Sequence, residues 1–481
     1  MDNDLKLKKQ FFKGSIWLFG ANIFARIFSF VTTLVLAKLL TPEDFGLVGY
    51  GFLVVNTIAL FKMMGFNTAL IYQKDKINES ASSLFWFLII WSLFLYGVVY
   101  FISPIISSFF REVRLISLVR VLGLSLIINS ISSIPTSLLE REIDFKRRVI
   151  PDVVKLLIYS IVTILLALKG FKYWSFIYGT LLADLIQLIL AFLLKPVKIK
   201  FEVHFSLLRE MFKFGRNIVG LSFIHFGIRN IDDFFIGRML GTKFLGFYQF
   251  SYRIANVPAT NITNVFGKIL FPTFSKIADS DEKLLNAFMK FFRFIVLITV
   301  PVTFFIILII PDFISGFYGK WESAIIPIQI ISYFGLVRSV GSGMGSVFYA
   351  KGKPEKLLPV ALTQFIVLSL ILFPLIHFYG IIGACIAINI SMTISFIGSF
   401  WELNKLVKLS FWKVFSYLAF PISISLIIYF GVSILCNLFN LSTVQFFFLK
   451  FFTFPLLILV SYFIFIQDKK EILRELQSLS K

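Results

Sequence analysis

The chain repeats one pattern along its length: a run of about twenty apolar residues, then a short polar connector, about fourteen times over. Each run matches the ~30 Å hydrocarbon core of a bilayer, and a backbone in hydrocarbon must satisfy its own hydrogen bonds. The pattern therefore predicts an all-α polytopic membrane protein. Apolar windows fall near 14–37, 46–72, 81–103, 115–137, 149–169 and 174–194. After the basic connector Lys195 to Lys213, six more fall near 214–237, 244–270, 288–310, 323–348, 357–378 and 381–402, and two last ones near 413–435 and 446–466. Composition excludes a soluble globule, because only 15% of residues are charged and 58% are hydrophobic, whereas soluble domains carry about a quarter charged residues. The 62 phenylalanines are read as lipid-facing filler.

A net charge of +21 could point to nucleic acid, but its distribution points to a membrane. Numbering the connectors puts about 28 Lys and Arg on one side of the membrane and about 8 on the other, the asymmetry of the positive-inside rule. The rich side holds Lys6 to Lys13, the loop Arg141 to Arg148, the Lys195 to Lys213 connector, Lys351 to Lys356, Lys405 to Lys413 and the tail. The poor side holds Lys38, Arg111, Arg114, Lys169, Lys172, Arg238, Lys243 and Lys320. Both termini are expected in the cytoplasm, and the basic tail from Gln467 is expected to form a surface helix. No cleavable signal is expected ahead of the first span, which is long and interrupted by Arg26.

The short connectors leave no room for a soluble catalytic domain, which argues against a membrane glycosyltransferase or polymerase. Cys385 and Cys436 are single and set in apolar runs, and His204, His225 and His377 lack ligand spacing. Neither a metal site nor a cofactor is expected.

The two sets of six spans echo each other. At an offset of 200, Phe212 falls on Phe12, Lys213 on Lys13, Gly220 on Gly20, Leu240 on Leu40 and Gly246 on Gly46, with Arg238 on Lys38. At an offset of 209, Ser130, Ser133 and Ser137 fall on Ser339, Ser342 and Ser346. Both suggest a parallel duplication. The expected domains are a six-helix bundle over 1–200, a second over 201–404, and two further transmembrane helices with a basic tail over 405–481.

An ionisable residue at mid-span costs about 2.5 to 3.5 kcal/mol on insertion scales, so it marks a polar interior. The bases are Arg26, Lys62, Arg120, Arg229, Arg253 and Arg338; the acids are Asp184, Asp232 and Asp233. Arg229 precedes Asp232 and Asp233 by three and four residues, a spacing that allows neutralisation within its own helix. Lys62 can snorkel, and Asp184 can pair with a neighbouring base. Those four acids and bases, Asp184, Arg229, Asp232 and Asp233, are candidates for ion coupling or for structural pairing. Arg26, Arg120, Arg253 and Arg338 have no acid at helical spacing, so a partner must come from another helix or from a ligand. They are the candidate substrate-binding residues, since a guanidinium offers paired donors to phosphate or carboxylate. Prolines 135, 258, 301, 359, 374 and 421 are read as static bends, and the run Gly341 to Ser346 as a place of close helix approach.

Three strings carry a family resemblance: Ala37-Lys38-Leu39-Leu40-Thr41-Pro42-Glu43-Asp44-Phe45-Gly46, then Leu139 to Arg147, then Asn230-Ile231-Asp232 leading to Ile236-Gly237-Arg238. With them the chain resembles the polysaccharide transporter family, the flippases of O-antigen, exopolysaccharide and teichuronic acid, within the superfamily that includes multidrug and toxic compound extrusion (MATE) transporters and the lipid II flippase. The resemblance implies two six-helix bundles in a V plus an extra helix pair. It implies a bacterial cytoplasmic-membrane flippase that moves undecaprenyl-diphosphate-linked oligosaccharide repeat units by alternating access. The alternative is a MATE-like cation-coupled multidrug antiporter. Membrane lipids and the lipid-linked oligosaccharide are the implied partners, along with the polysaccharide polymerase and chain-length machinery; nucleic acid is not among them.

Overall fold

The computed structural model describes residues 20–21, 24–63, 65–73, 75–142, 144–257, 259, 264–438 and 441–465. The tail after Gln467, Pro258 and the N-terminal lysines lie outside the described residues. The described chain is helical without strands: residues 24–39 (α1), Pro42–Met63 (α2), Phe66–Tyr72 (α3), Ile77–Phe110 (α4), Leu115–Leu122 (α5), Leu124–Arg141 (α6), Phe145–Leu168 (α7), Trp174–Leu194 (α8), Phe205–Leu240 (α9), Thr242–Ala255 (α10), Asn264–Ser275 (α11), Asp281–Phe317 (α12), Ile325–Ala350 (α13), Leu357–Val407 (α14), Phe411–Asn437 (α15) and Thr443–Phe465 (α16). Among the described residues ten segments are long and apolar enough to cross a membrane. One of them contains α14, whose 51 residues would reach about 77 Å as a single helix, more than twice the hydrocarbon core. It breaks at Gly380, where φ is 56° and ψ is −136°. Only glycine adopts such a backbone readily, and the break matches the gap between the windows at 357–378 and 381–402. By contrast, α6, α12 and α15 run through Pro135, Pro301 and Pro421.

The string that opens α2 is a helix start written in side chains. The Thr41 hydroxyl donates to Asp44 Oδ2 at 2.8 Å, and Thr41 N donates to the same oxygen at 3.0 Å. In return Asp44 N donates to Thr41 Oγ1 at 3.3 Å. This reciprocal cap satisfies orphan donors of the first turn, and Pro42 opens the helix where no N–H is needed. The other oxygen of Asp44 accepts from Tyr173 N at 3.2 Å, which ties the start of α8 to the start of α2. The second string ends in another cap: Asp144 accepts from Arg147 N at 3.0 Å at the start of α7.

By packing, the chain forms two compact units: Met1–Phe250 with Ala361–Ala387, and Ser251–Val360 with Ile388–Lys481. In the first unit α7 packs on α8, α6 on α4 and α8, and α9 on α2, α3 and α4. One core joins Phe66 and Leu70 to Leu84, Leu88, Ile134 and Met211. The basic connector before α9 is stitched to α4: Trp86 Nε1 donates to Lys200 O at 3.0 Å, and His204 N donates to Ser83 Oγ at 2.9 Å. In the second unit α12 is central, packing on α13, α15 and α16. Its core is built on Phe288, Phe291, Phe292 and Val296 against Val340 and Met344. A Cβ on Gly343 would approach the Phe291 ring to 2.7 Å, so the glycine run of α13 serves close packing on α12.

The serine echo is visible in hydrogen bonds. Ser130 donates to Leu126 O at 2.6 Å and Ser133 to Ser130 O at 2.7 Å. Ser339 and Ser342 repeat the pattern with Gly335 O at 2.7 Å and Ser339 O at 2.8 Å.

Candidate functional site

Among the candidate arginines, Arg120 of α5 turns to α4. Its Nε donates to Ser103 Oγ at 2.9 Å and to Tyr100 O at 3.3 Å, while the guanidinium lies 4.0 Å from the Tyr100 ring centroid. Arg338 of α13 reaches α10, donating to Asn256 Oδ1 at 3.4 Å and to the Tyr252 hydroxyl at 3.5 Å. Arg253, beside Tyr252, is exposed. Arg26 lies half-buried on α1. Among the described residues Arg120, Arg253 and Arg338 form no ion pair with a carboxylate; these contacts of Arg120 and Arg338 are to neutral oxygens and a ring. Arg120 belongs to the first unit, and Arg253 and Arg338 to the second.

The acids are engaged elsewhere. Asp184 of α8 is 1% exposed and meets Lys155 Nζ of α7 at 2.5 Å. Asn129 Nδ2 of α6 donates to its other oxygen at 2.9 Å. Lys155 also donates to Gln187 Oε1 at 2.9 Å, and Gln187 Nε2 donates to Asp152 Oδ1 at 2.8 Å. The chain of charges runs on through Arg148, 2.5 Å from Asp152 and 2.8 Å from Glu140. Lys62 of α2 is half-buried and forms no ion pair among the described residues.

Within α9 the expected pairing of Arg229 with its neighbouring acids does not form. Asp232 is buried and accepts a hydrogen bond from the Tyr248 hydroxyl of α10, and Asp233 Oδ2 accepts from Gln249 Nε2 at 3.2 Å. Arg229 is exposed, with no ion pair to either acid among the described residues. The acids accept instead from donors on α10, the hydroxyl of Tyr248 and the amide of Gln249, while the Arg229 side chain extends into exposed space.

Sequence reasoning missed Lys155, Asp152, Asp312 and Lys450. Lys450 of α16 and Asp312 of α12 meet at 2.7 Å, both largely buried. All four fall inside or beside windows whose mean apolarity hides a single charge. The signal available for two of them was pairing across windows, Lys155 with Asp184 and Lys450 with Asp312.

A cavity of about 540 Å³ lies in the first unit between α2, α4, α9 and Phe365 of α14. Its walls include Leu53, Ile106, Phe109, Ile231 and Phe234. Its polar members bond within their own helices: the Thr57 hydroxyl donates to Leu53 O at 2.6 Å, and Asn230 Nδ2 to Phe226 O at 2.8 Å. Among the described residues no cluster of His, Cys, Asp and Glu has the geometry to hold a metal ion.

The model of the family described as "Polysaccharide biosynthesis protein" matches residues 35–326. The chain is similar to the teichuronic acid biosynthesis protein TuaB of Bacillus subtilis (strain 168), 24% identical over 89% of this chain and 90% of that protein. It is also similar to the lipopolysaccharide biosynthesis protein WzxC of Escherichia coli (strain K12), 23% identical over 73% and 72% of the two chains. In fold it matches the lipid II flippase MurJ in an inward closed conformation with a TM-score of 0.77 and 16% identity, covering 94% of this chain and 99% of that one. An inward-facing MATE multidrug transporter matches at a TM-score of 0.62 and 20% identity, over 80% and 96%. The apolar helices and these relatives describe a multi-pass protein of the bacterial inner membrane. Since the family model spans more than half of the sequence, the chain belongs to the polysaccharide biosynthesis protein family.

Proposed function

We propose that the protein translocates undecaprenyl-diphosphate-linked oligosaccharide repeat units from the cytoplasmic to the outer leaflet, for assembly of a surface polysaccharide. The observation that carries this reading is the state of its intramembrane charges. The acids are taken up by Lys155, Asn129, Tyr248 and Gln249, whereas Arg120 and Arg338 bond to neutral partners and Arg253 is exposed without an ion pair among the described residues. A protein that moves an anionic diphosphate needs spare cation at its passenger, and one that moves organic cations needs spare acid. The full-length likeness to a protein named for teichuronic acid biosynthesis supports the same class of passenger.

In this reading Arg26, Arg120, Arg253 and Arg338 carry the diphosphate or acidic sugars, and Asp184, Arg229, Asp232 and Asp233 serve coupling or structure. Both termini are cytoplasmic, and residues 1–200 rock against 201–404 in alternating access, with 405–481 as an added helix pair and tail. The polysaccharide polymerase and chain-length machinery would receive the product.

The deciding experiment compares a deletion strain with its parent. Loss of the surface glycan with accumulation of its lipid-linked unit on the cytoplasmic leaflet supports the reading. Unchanged glycan with altered drug efflux replaces it by the MATE-like cation antiporter.

A further inference from the structure

The cavity between α2, α4 and α9 does not belong to the arginine set above, and its chemistry differs from theirs. The stretch from Phe226 to Phe234 that forms one wall rises about 12 Å at ~1.5 Å per residue, roughly the depth of one leaflet. The volume of about 540 Å³ falls within the ~300–1,000 Å³ range of ligand pockets. Phenyl rings and branched aliphatic side chains dominate its lining, and the Thr57 hydroxyl and an Asn230 N–H donate to their own helices.

One end of this cavity is cationic. Phe109, part of the wall, carries the Arg238 guanidinium 5.2 Å from its ring centroid. Arg238 lies one turn beyond Phe234 on α9, and among the described residues it has no carboxylate partner. The nearby acid Glu112 is already held by Arg114 at 2.7 Å and by the Thr242 hydroxyl at 3.1 Å. Arg111, which follows Phe110, adds a second exposed cation without an ion pair among the described residues. It sits at φ 55°, the left-handed region that closes α4. By the charge asymmetry of the connectors, this end faces away from the cytoplasm.

We propose that the cavity holds the first isoprene units, those next to the head, of the polyprenyl chain of the translocated lipid in the outer leaflet, with its diphosphate against Arg238 and Arg111. This exit station rests on the flippase reading given under the proposed function. A single hydrocarbon chain under a single anionic head matches one cavity with cations at one end, whereas a phospholipid must place two chains beneath each phosphate. Methyl branches and planar double bonds suit walls made of rings and β-branched side chains, because such surfaces interdigitate with the branches. The guanidinium on Phe109 is desolvated on one face and offers its edge to a phosphate.

The test uses the full-length protein in phosphatidylethanolamine vesicles and two photoreactive probes: undecaprenyl phosphate with a diazirine near its head, and phosphatidylglycerol with a diazirine in one acyl chain. Peptide mapping is expected to place the polyprenyl label on 102–110 and 226–234, competed by unlabelled undecaprenyl phosphate and not by phosphatidylglycerol. Arg238→Gln is expected to lower that labelling about tenfold, the loss of one charge-assisted contact, and Arg238→Lys to lower it less. Ile106→Trp, which fills the cavity, is expected to abolish it while the thermal unfolding of the protein stays unchanged. Equal labelling of these segments by the phosphatidylglycerol probe overturns the proposal and makes the cavity an ordinary lipid crevice. Competable polyprenyl labelling confined to other helices overturns the exit station but leaves the flippase reading standing. An intact glycan in the deletion strain, with no competable labelling anywhere, overturns both.

Discussion

Gly46 and Gly246 press their backbones together, and they do so reciprocally: a Cβ on Gly46 would overlap the Thr242 carbonyl, and a Cβ on Gly246 would overlap the carbonyl of Pro42. Pro42 and Thr242 are related by the same offset of 200 that relates the two glycines. The sequence echo is thus a local two-fold contact between the starts of α2 and α10.

This contact predicts a steep steric penalty. Gly46→Val and Gly246→Val are each expected to destabilise the protein by about 1 to 3 kcal/mol, the usual cost of overpacking, or to force the contact apart. Gly97→Val, at a position where nothing lies within 4 Å, serves as the control. Thermal unfolding in detergent, read together with transport, checks it; equal behaviour of all three variants would show that the contact is not tight in solution.

The Lys155 and Asp184 pair yields a second expectation. Removing one charge leaves the other stranded in the membrane, so Lys155→Met is expected to cost about 3 kcal/mol, at the low end for a buried pair because Lys155 is partly exposed. The double variant Lys155→Met, Asp184→Leu is expected to recover much of that loss. A double-mutant cycle by chemical denaturation measures the coupling; purely additive effects would remove the pair from any structural role.

For Arg120, Arg253 and Arg338, the distinction lies between charge and shape. Gln variants are expected to abolish most glycan export with normal protein levels in the membrane, and Lys variants to retain part of it, because Lys keeps the charge but loses the planar donors. Quantifying surface polysaccharide against membrane-protein abundance separates the cases. Normal export by the Gln variants would place the passenger's anion elsewhere.

The loop between α4 and α5 has a pH signature. Hydrogen bonding from Arg114 chiefly, helped by its charge and by Thr242, holds the Glu112 carboxyl below its ordinary value of 4.5. A depressed folded value contributes stability that is present above that ordinary value and fades as pH falls through the lower one. The difference in melting temperature between the native chain and Glu112→Gln should therefore persist at neutral pH and vanish in acid. A difference that grows on acidification would contradict the pairing.

Topology has its own check. Reporter fusions at Lys320 and Lys351 bracket α13 and should report opposite sides of the membrane; agreement between them would undo the span assignment there.

The windows were legible because lipid imposes a uniform demand, about twenty apolar residues for each crossing. The break at Gly380 and the tight approach at Gly343 were also readable, since glycine has few other uses inside a span. The partners of charges were less so. Helical spacing pointed Arg229 at Asp232 and Asp233, yet those acids turn to Tyr248 and Gln249, donors on another helix that a spacing rule within one helix does not reach. Lys155 escaped notice for the complementary reason: one lysine scarcely lowers the mean of an apolar window, and its meaning appears only when Asp184 is brought beside it.

The Lys450 and Asp312 bridge bears on how the chain is made. A ribosome delivers α12 well before α16, so Asp312 enters the membrane without its cation and Lys450 later arrives seeking a carboxylate. Until they meet, each is a charge at the edge of an apolar span without its counter-ion. Once closed, with Tyr462 donating to Leu297 O at 2.9 Å, the bridge fastens α16 to α12 at two levels, and without α16 Asp312 loses its cation.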